Sequence, residues 1–356
     1  MDRKYKILIL GRRNKNPFFD SIEKYSKHDY VYGDVSDFKT TYDFVLINWP
    51  ELLIDNKANV DNETTSFKNA VLNWQGNFKI IYLVHNFKPH TNATKERLEM
   101  YKVVYEVSDI FIHMGSKSLE LLQREFPSKA HYKIPHPLYE FPFKFYEKAS
   151  ARKILNIDSE TKVVVAPGTI RKDKERTLVI DAFNAVQSKN KLLLVPRMKW
   201  QKSNIEFRGR HMLKRFFDVK KAIERRINKP KKDMRFGYGF IPFDDFSLQL
   251  SSADIIIIPR LDVLNSGNLF LGLSYKKIVV GPDIGNIVEF LDEFDLPRFK
   301  IEDSSSLKKA MLFAEHLVEI GYEPSQKKLN TLKANVIADK WDQMYNSEYH
   351  KSNKSK

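Results

Sequence analysis

Three groups of residues in this chain have the types and spacing to do chemistry. In the first, the apolar run Ile255 to Ile258 closes at Pro259 and leads into Arg260, Asp262, Asn265, Ser266, Gly267 and Asn268. An unbroken apolar run fits a strand buried on both faces of a parallel sheet. Leu269 to Leu273 then fits a short buried helix and Ile278 to Val280 the next strand, so the polar residues fall in the loop of a strand-helix-strand unit. Asn265 and Ser266 are helix-cap types, and the free amides that follow them favour an anion. In the second group, Gly168 ends another apolar segment, Thr161 to Ala166, and is followed by Arg171 and Lys174. Cations beside a glycine turn suit a phosphate, with a solvated charged turn as the plain alternative. The third group can move protons. His85 and His90 follow the apolar segment Lys79 to Val84, and Glu51 follows Asp43 to Asn48. A base needs a suitable pKa and access to a cleft, and His85 fits best, before His90 and Glu51. For each of them a hydrogen-bonded loop residue is the alternative. His113 and Ser116 line the same edge, and His136, between prolines, reads as structural.

The elements that must position these groups alternate between strand and helix. Lys4 to Leu10, Asp43 to Asn48, Lys79 to Val84 and Asp109 to His113 read as strands, with helices near residues 17–26, 66–75, 95–107 and 116–125. That alternation predicts one doubly wound α/β domain. Ile134 to Phe145, rich in prolines and aromatics, reads as an extended crossing to a second domain of the same kind. The second runs through strands at 161–166, 191–195, 234–239, 255–258 and 278–280 and closes with helices at 304–321 and 324–345. The tail from Asn346 reads as frayed. The expected domains are 1–140 together with a terminal helix at 334–347, and 141–333 with a basic insertion at 199–235. The loop Gly11-Arg12-Arg13-Asn14 lacks two glycines of the dinucleotide fingerprint, which argues against a nicotinamide cofactor.

At 356 residues the chain is long enough for two full cores, and 42% apolar with 29% charged residues is ordinary for a globular protein. There is no cysteine, which excludes disulfides and thiolate metal sites. No apolar run reaches spanning length, so the expected location is the cytoplasm. The formal charge of +15 is concentrated: residues 199–235 hold 14 Lys or Arg against 4 Asp or Glu. Such a cluster attracts nucleic acid, anionic lipid or an acidic polymer.

Two α/β domains around a cleft, one of them carrying an anion site, resemble the GT-B fold of nucleotide-sugar glycosyltransferases. Gly168-Thr169-Ile170-Arg171-Lys172-Asp173-Lys174 is similar to that family's G-x-I-R-x-x-K turn, whose Arg and Lys neutralise the donor diphosphate. Pro282 to Glu289 is similar to the P-x-x-G-x-x-x-E element closing the nucleotide pocket, and Lys340 to Tyr345 to the helix that crosses back onto the first domain. With H-N-x-x-P-H at 85–90 and N-S-G-x-L-x-L-x-L at 265–273, the chain resembles bacterial enzymes building capsule or exopolysaccharide.

The resemblance implies a UDP- or GDP-sugar donor as co-substrate, no further cofactor and no metal. It implies a lipid-linked or growing oligosaccharide acceptor, a diphosphate held by Gly168, Arg171, Lys174, Arg260 and the Asn265-Ser266-Gly267-Asn268 loop, and donor hydroxyls on Glu289. As a first-turn acid, Glu289 alternatively just suits its helix dipole. The two glutamates of the commonest retaining pattern are replaced here, with Leu264 or Asn265 and Gly272 in their places. That leans toward inversion, with a base from the first domain activating the acceptor hydroxyl. A non-catalytic nucleotide- or glycan-binding protein of the same fold stays open for the same reason.

Apolar residues from Phe207 to Ile227 recur at three- and four-residue steps with Lys and Arg between them. The pattern predicts a basic amphipathic helix, which suits the inner face of an anionic membrane or an inserted helix with a solvated face. A nucleic-acid-directed sugar transferase is the alternative partner reading. Against it, Phe216 and Phe217 fall on the apolar face and are not interleaved with the charges for base stacking.

Overall fold

Ile7 to Leu10, Phe44 to Ile47 and Ile255 to Ile257 are buried at every position, and both faces of such strands must be covered. Parallel sheets layered between helices meet that need. The computed structural model describes residues 3–13, 16–35, 41–53, 60–74, 78–89, 94–203 and 213–354. One sheet contains β1 (Lys6–Leu10), β2 (Asp29–Gly33), β3 (Phe44–Ile47), β4 (Lys79–Val84), β5 (Ile110–His113) and β6 (Ala130–Lys133), in the order β2-β1-β3-β4-β5-β6. The other contains β7 (Lys162–Val165), β8 (Lys191–Val195), β9 (Met234–Phe236), β10 (Ile255–Ile257), β11 (Ile278–Pro282) and β12 (Arg298–Phe299), in the order β12-β11-β10-β7-β8-β9. Each strand pairs in parallel with its neighbours. The fold class is the one expected, two doubly wound α/β lobes. In each sheet the chain starts near the middle and reverses direction, between β1 and β3 and between β7 and β10. Connections leaving such a point in opposite directions open a crevice at the carboxyl edge.

The helices are α1 (Phe18–Glu23), α2 (Val60–Trp74), α3 (Lys95–Val107), α4 (Ser116–Glu125), α5 (Lys148–Ile154), α6 (Asp173–Ala185), α7 (Leu213–Asn228), α8 (Phe243–Ser252), α9 (Gly267–Ser274), α10 (Ile287–Glu293), α11 (Ser304–Glu319), α12 (Gln326–Asn330) and α13 (Ala334–Lys354). The last leaves the second lobe and completes the core of the first. Its Ile337, Ala338, Trp341, Met344 and Tyr345 pack with Tyr5, Phe19 and Phe44, while Asp342 accepts from Ser26 Oγ and from the Lys27 amide at 2.9 Å. Helix α13 also runs past the point where the sequence reads as frayed. Tyr349 lies 4.9 Å from the Tyr5 ring, and the buried Glu348 accepts from Tyr132 at 2.6 Å. Periodicity did not reveal β2, β6 or β12, and the helix expected over 324–345 is two helices, α12 and α13. Residues 204–212 of the basic stretch lie outside the described residues. Among the described residues no helix is long and apolar enough to cross a membrane.

Candidate functional site

The turn between β7 and α6 is built around Gly168. A Cβ there would lie 2.5 Å from Asn268 Nδ2 and 2.9 Å from Arg260 Nη2, so only glycine lets those two side chains close over the turn. Arg260, carried to the same edge by β10, donates Nη2 to the Thr169 carbonyl at 3.0 Å and Nη1 to Glu175 Oε1 at 2.8 Å. The other oxygen of Glu175 accepts from the amides of Arg171 (2.7 Å) and Lys172 (3.2 Å), so one carboxylate caps α6 and balances Arg260. From the end of β8, Arg197 reaches the Pro167 carbonyl at 3.3 Å, with its guanidinium 5.4 Å from the centre of the Phe246 ring. Burial lowers the pKa of both Arg171 and Arg197, and the Arg260 charge adds to this in each case. Three guanidinium groups thus gather where one carboxylate, Glu175, is paired with Arg260, an excess of positive charge suited to a phosphorylated ligand. Lys174 is elsewhere, in an exposed pair with Glu302 at 3.0 Å.

Beside this group begins α9. Ser266 is buried at its N-cap but makes no side-chain cap bond. A Cβ on Gly267 would lie 2.6 Å from the Tyr139 hydroxyl, which holds the helix start against the crossing segment. Asn265 does not cap α9 either. Its Nδ2 donates across the cleft to the carbonyls of Val84 (3.1 Å) and His85 (2.8 Å), which places the amides of the α9 first turn next to the first lobe.

On the first lobe, His85 is 8% exposed, with its ring stacked on Trp49 at 4.3 Å and 6°. An aromatic chain continues from it through Phe18 (5.8 Å) and His136 (4.9 Å) to Phe270 (4.7 Å), joining the lobes. His90 lies outside the described residues. Glu51 sits on a short 3-10 turn, Pro50–Leu52, where it is buried and accepts from the Tyr101 hydroxyl at 2.6 Å.

Three further histidines, His113, His131 and His136, are held by hydrogen bonds. His131 Nε2 faces the Phe126 carbonyl and must carry a proton, so His131 Nδ1 accepts from His113 Nε2 at 3.0 Å. Burial, with the neighbouring His131 ring second, pushes His113 down to about 3, so it stays neutral inside β5. Burial likewise pushes His136 down to about 4 while its Nδ1 donates to the Pro137 carbonyl at 2.6 Å.

Glu289 has found partners in the first lobe. Its oxygens accept from the Ser116 amide (2.6 Å) and from Lys133 Nζ (2.8 Å). Burial alone would raise this carboxyl, but the Lys133 and Ser116 hydrogen bonds outweigh it and hold the pKa below its ordinary value. Asn286 accepts from the Ser118 amide at 3.0 Å and donates to Ser118 Oγ at 3.0 Å and Asn265 Oδ1 at 2.8 Å. Helix α4 has no side-chain cap of its own at Gly115, so the other lobe supplies the acceptors for its first amides.

Sequence reasoning therefore pointed at Gly168, Arg171, Arg260 and Asn268, which the structure brings together, and missed Arg197 and Glu175. The signal for Arg197 was available, since it follows the strand Lys191–Val195 and a proline much as Arg260 follows its own strand. Along the flank of β8 and β9 a cleft of about 480 Å³ is lined by Leu155, Leu194, Arg235, Tyr238, Phe240 and Gln249, among others. Among the described residues no three His, Asp or Glu side chains gather to hold a metal ion.

No family model matches the chain, and no curated protein matches it. Solved structures do. Anabaena HepE in complex with UDP aligns with a TM-score of 0.61 at 11% identity, covering 99% of this chain and 100% of that one. A glycosyltransferase from Rickettsia africae gives a TM-score of 0.61 at 11% identity over 98% and 100% of the two chains. Sucrose-phosphate synthase from Thermosynechococcus elongatus gives 0.59 at 16% identity over 87% and 74%. At these identities the likeness is one of fold, and the fold is GT-B.

Proposed function

We propose that this chain is a nucleotide-sugar-dependent glycosyltransferase. One observation carries the reading: Arg260 and Asn268 close over the Gly168 turn, with Arg171 near enough to feel the Arg260 charge, beside the start of α9, at the switch point of the second sheet and opposite His85. Breaking the bond between a sugar and a nucleoside diphosphate leaves negative charge on the departing phosphate. Fixed guanidinium groups and oriented amides lower the barrier to that separation. The acceptor hydroxyl then attacks from the first lobe, with His85 as the base. His90 and Glu51 are the other candidates, and Glu51 must first exchange its bond to Tyr101. Attack from the face opposite the leaving group makes the reaction inverting. The GT-B proteins that bind UDP, HepE among them, supply the precedent for the donor class.

For the acceptor we favour a lipid-linked or growing glycan of cell-surface polysaccharide synthesis. Support comes from α7, where Val219 and Ile227 are exposed next to Lys220, Lys221, Arg225 and Arg226. An apolar stripe with a basic flank suits an anionic membrane surface.

A melting-temperature screen against UDP-, GDP- and dTDP-sugars tests the donor. Ligand at about 100 times its Kd adds roughly 2.7 kcal/mol to the folded state, an upward shift of a few degrees. Arg260→Ala should abolish most of it. A flat response of the wild-type chain to every nucleotide sugar is the result that ends the proposal.

A further inference from the structure

We propose that Arg197, at the carboxyl end of β8, is a phosphate ligand of the nucleotide site, holding the phosphate nearer the nucleoside while Arg171 and Arg260 hold the one that departs. The inference rests on the nucleotide-sugar reading above and assigns a residue that the sequence motifs leave out.

The sheet order supplies the first argument. Along the carboxyl edge the strands run β9, β8, β7, β10, and neighbouring strands lie about 4.8 Å apart. The distance from the loop after β9 to Arg260 beyond β10 is then three spacings, about 14 Å, the length of an extended nucleoside diphosphate. A base against Tyr238 and Phe240, in the loop after β9, would put the next group of the ligand over β8, where Arg197 stands, and the last over the Gly168 turn.

The second argument is the state of the side chain. Arg197 and Arg260 approach one turn from opposite sides, onto the carbonyls of Pro167 and Thr169 that flank Gly168. Glu175 is fully used by Arg260 and by the amides of Arg171 and Lys172, and no carboxylate pairs with Arg197 among the described residues. Beyond its bond to Pro167, the guanidinium meets no acceptor there, and Nε is buried without a partner. A purely structural arginine, desolvated against Phe246, would have its N–H groups satisfied. A phosphate oxygen supplies an acceptor at the edge left open, Nη1, and a turn of the side chain would bring the enclosed Nε to a second oxygen in the bidentate geometry a guanidinium prefers.

The test is calorimetry of the full chain with uridine, UMP and UDP, and with the guanosine series in parallel. Arg197→Gln is expected to weaken UMP and UDP alike by about 10- to 100-fold, the loss of one charged hydrogen-bonding group, while uridine is unchanged. Arg260→Gln should weaken UDP and largely spare UMP. Arg197→Lys, which keeps the charge and the Phe246 contact, should fall between wild type and Arg197→Gln, and serves if the glutamine variant does not fold. Wild-type affinity of Arg197→Gln for UMP and UDP overturns the inference alone. An equal loss for uridine overturns it too, because it marks a structural role. Failure of the wild-type chain to bind any of these nucleotides takes the donor reading down with it.

Discussion

Glu175 pairs with Arg260 and takes the amides that start α6, and its two functions can be separated by substitution. Its side chain is 5% exposed and that of Arg260 13%, so removing the carboxylate strands a guanidinium that is largely cut off from water. Unpairing a buried ion costs about 3 kcal/mol or more. Glu175→Gln should therefore lower the melting temperature of the free protein. With the counter-charge gone, pyrophosphate should restore more of the lost stability than it adds to wild type. A smaller pyrophosphate shift in the variant would mean that the arginines do not share one anion. His136 gives a pH-dependent prediction. Its folded pKa of about 4 lies below the ordinary value of 6.5, so the unfolded chain takes up the proton first. The stabilisation is complete above pH 6.5 and is lost as the pH falls toward 4, by roughly 3 kcal/mol. His136→Phe keeps the stack on Phe270 and should reduce the fall in melting temperature between those pH values, the remainder belonging to His113, which burial also holds neutral. At this scale the sequence reveals a cation that follows a glycine turn or a buried strand. It does not reveal which carboxylate will sit among the cations, because Glu175 lies on the helix beyond the turn and reads as an ordinary first-turn acid.

Strands with both faces buried were legible because nothing but an apolar run can fill them, as in β4 and β10. The strands that periodicity missed are half-buried or very short. In β2, Asp29–Gly33, only one side of the strand has a neighbour, and in β12 two residues suffice. Helix α13 escaped at its end for a different reason. Tyr345, Glu348 and Tyr349 repeat at three- and four-residue steps, but the polar residues between them hide the face that docks. That docking gives the element-scale prediction. Trp341 is completely buried between α13 and the first lobe, and Trp341→Ala should cost about 3–5 kcal/mol, read as a lower urea midpoint. If α13 only drapes over the lobe, the midpoint will shift by the equivalent of less than about 1 kcal/mol.

The two lobes are held closed by bonds that neither can make alone. Asn265 reaches the carbonyls after β4, Asn286 satisfies the Ser118 amide, and Glu289 takes the Ser116 amide together with Lys133. These contacts differ in strength for physical reasons. The Lys133–Glu289 pair is partly exposed, 41% and 30%, so salt screens it and it is worth about 1 kcal/mol at most. Ser118 is fully buried in the closed form, so Asn286→Ala leaves its amide without an acceptor at a cost of about 1–3 kcal/mol. In an opened form water reaches that amide, and the penalty vanishes. The substitution should therefore shift the equilibrium toward open by roughly 5- to 100-fold without unfolding either lobe. The chain has no cysteine, so cysteines introduced at the exposed Lys102 and Lys309 would carry the only spin labels. Pulsed dipolar spectroscopy should then give a longer and broader distance distribution for Asn286→Ala than for the parent. Lys133→Met should change it less, and by an amount that raising the salt concentration reproduces in the parent. Identical distributions for the parent and Asn286→Ala would show that closure does not depend on the Asn286 bonds and rests on Asn265, Glu289 and the Leu264 packed into the first lobe.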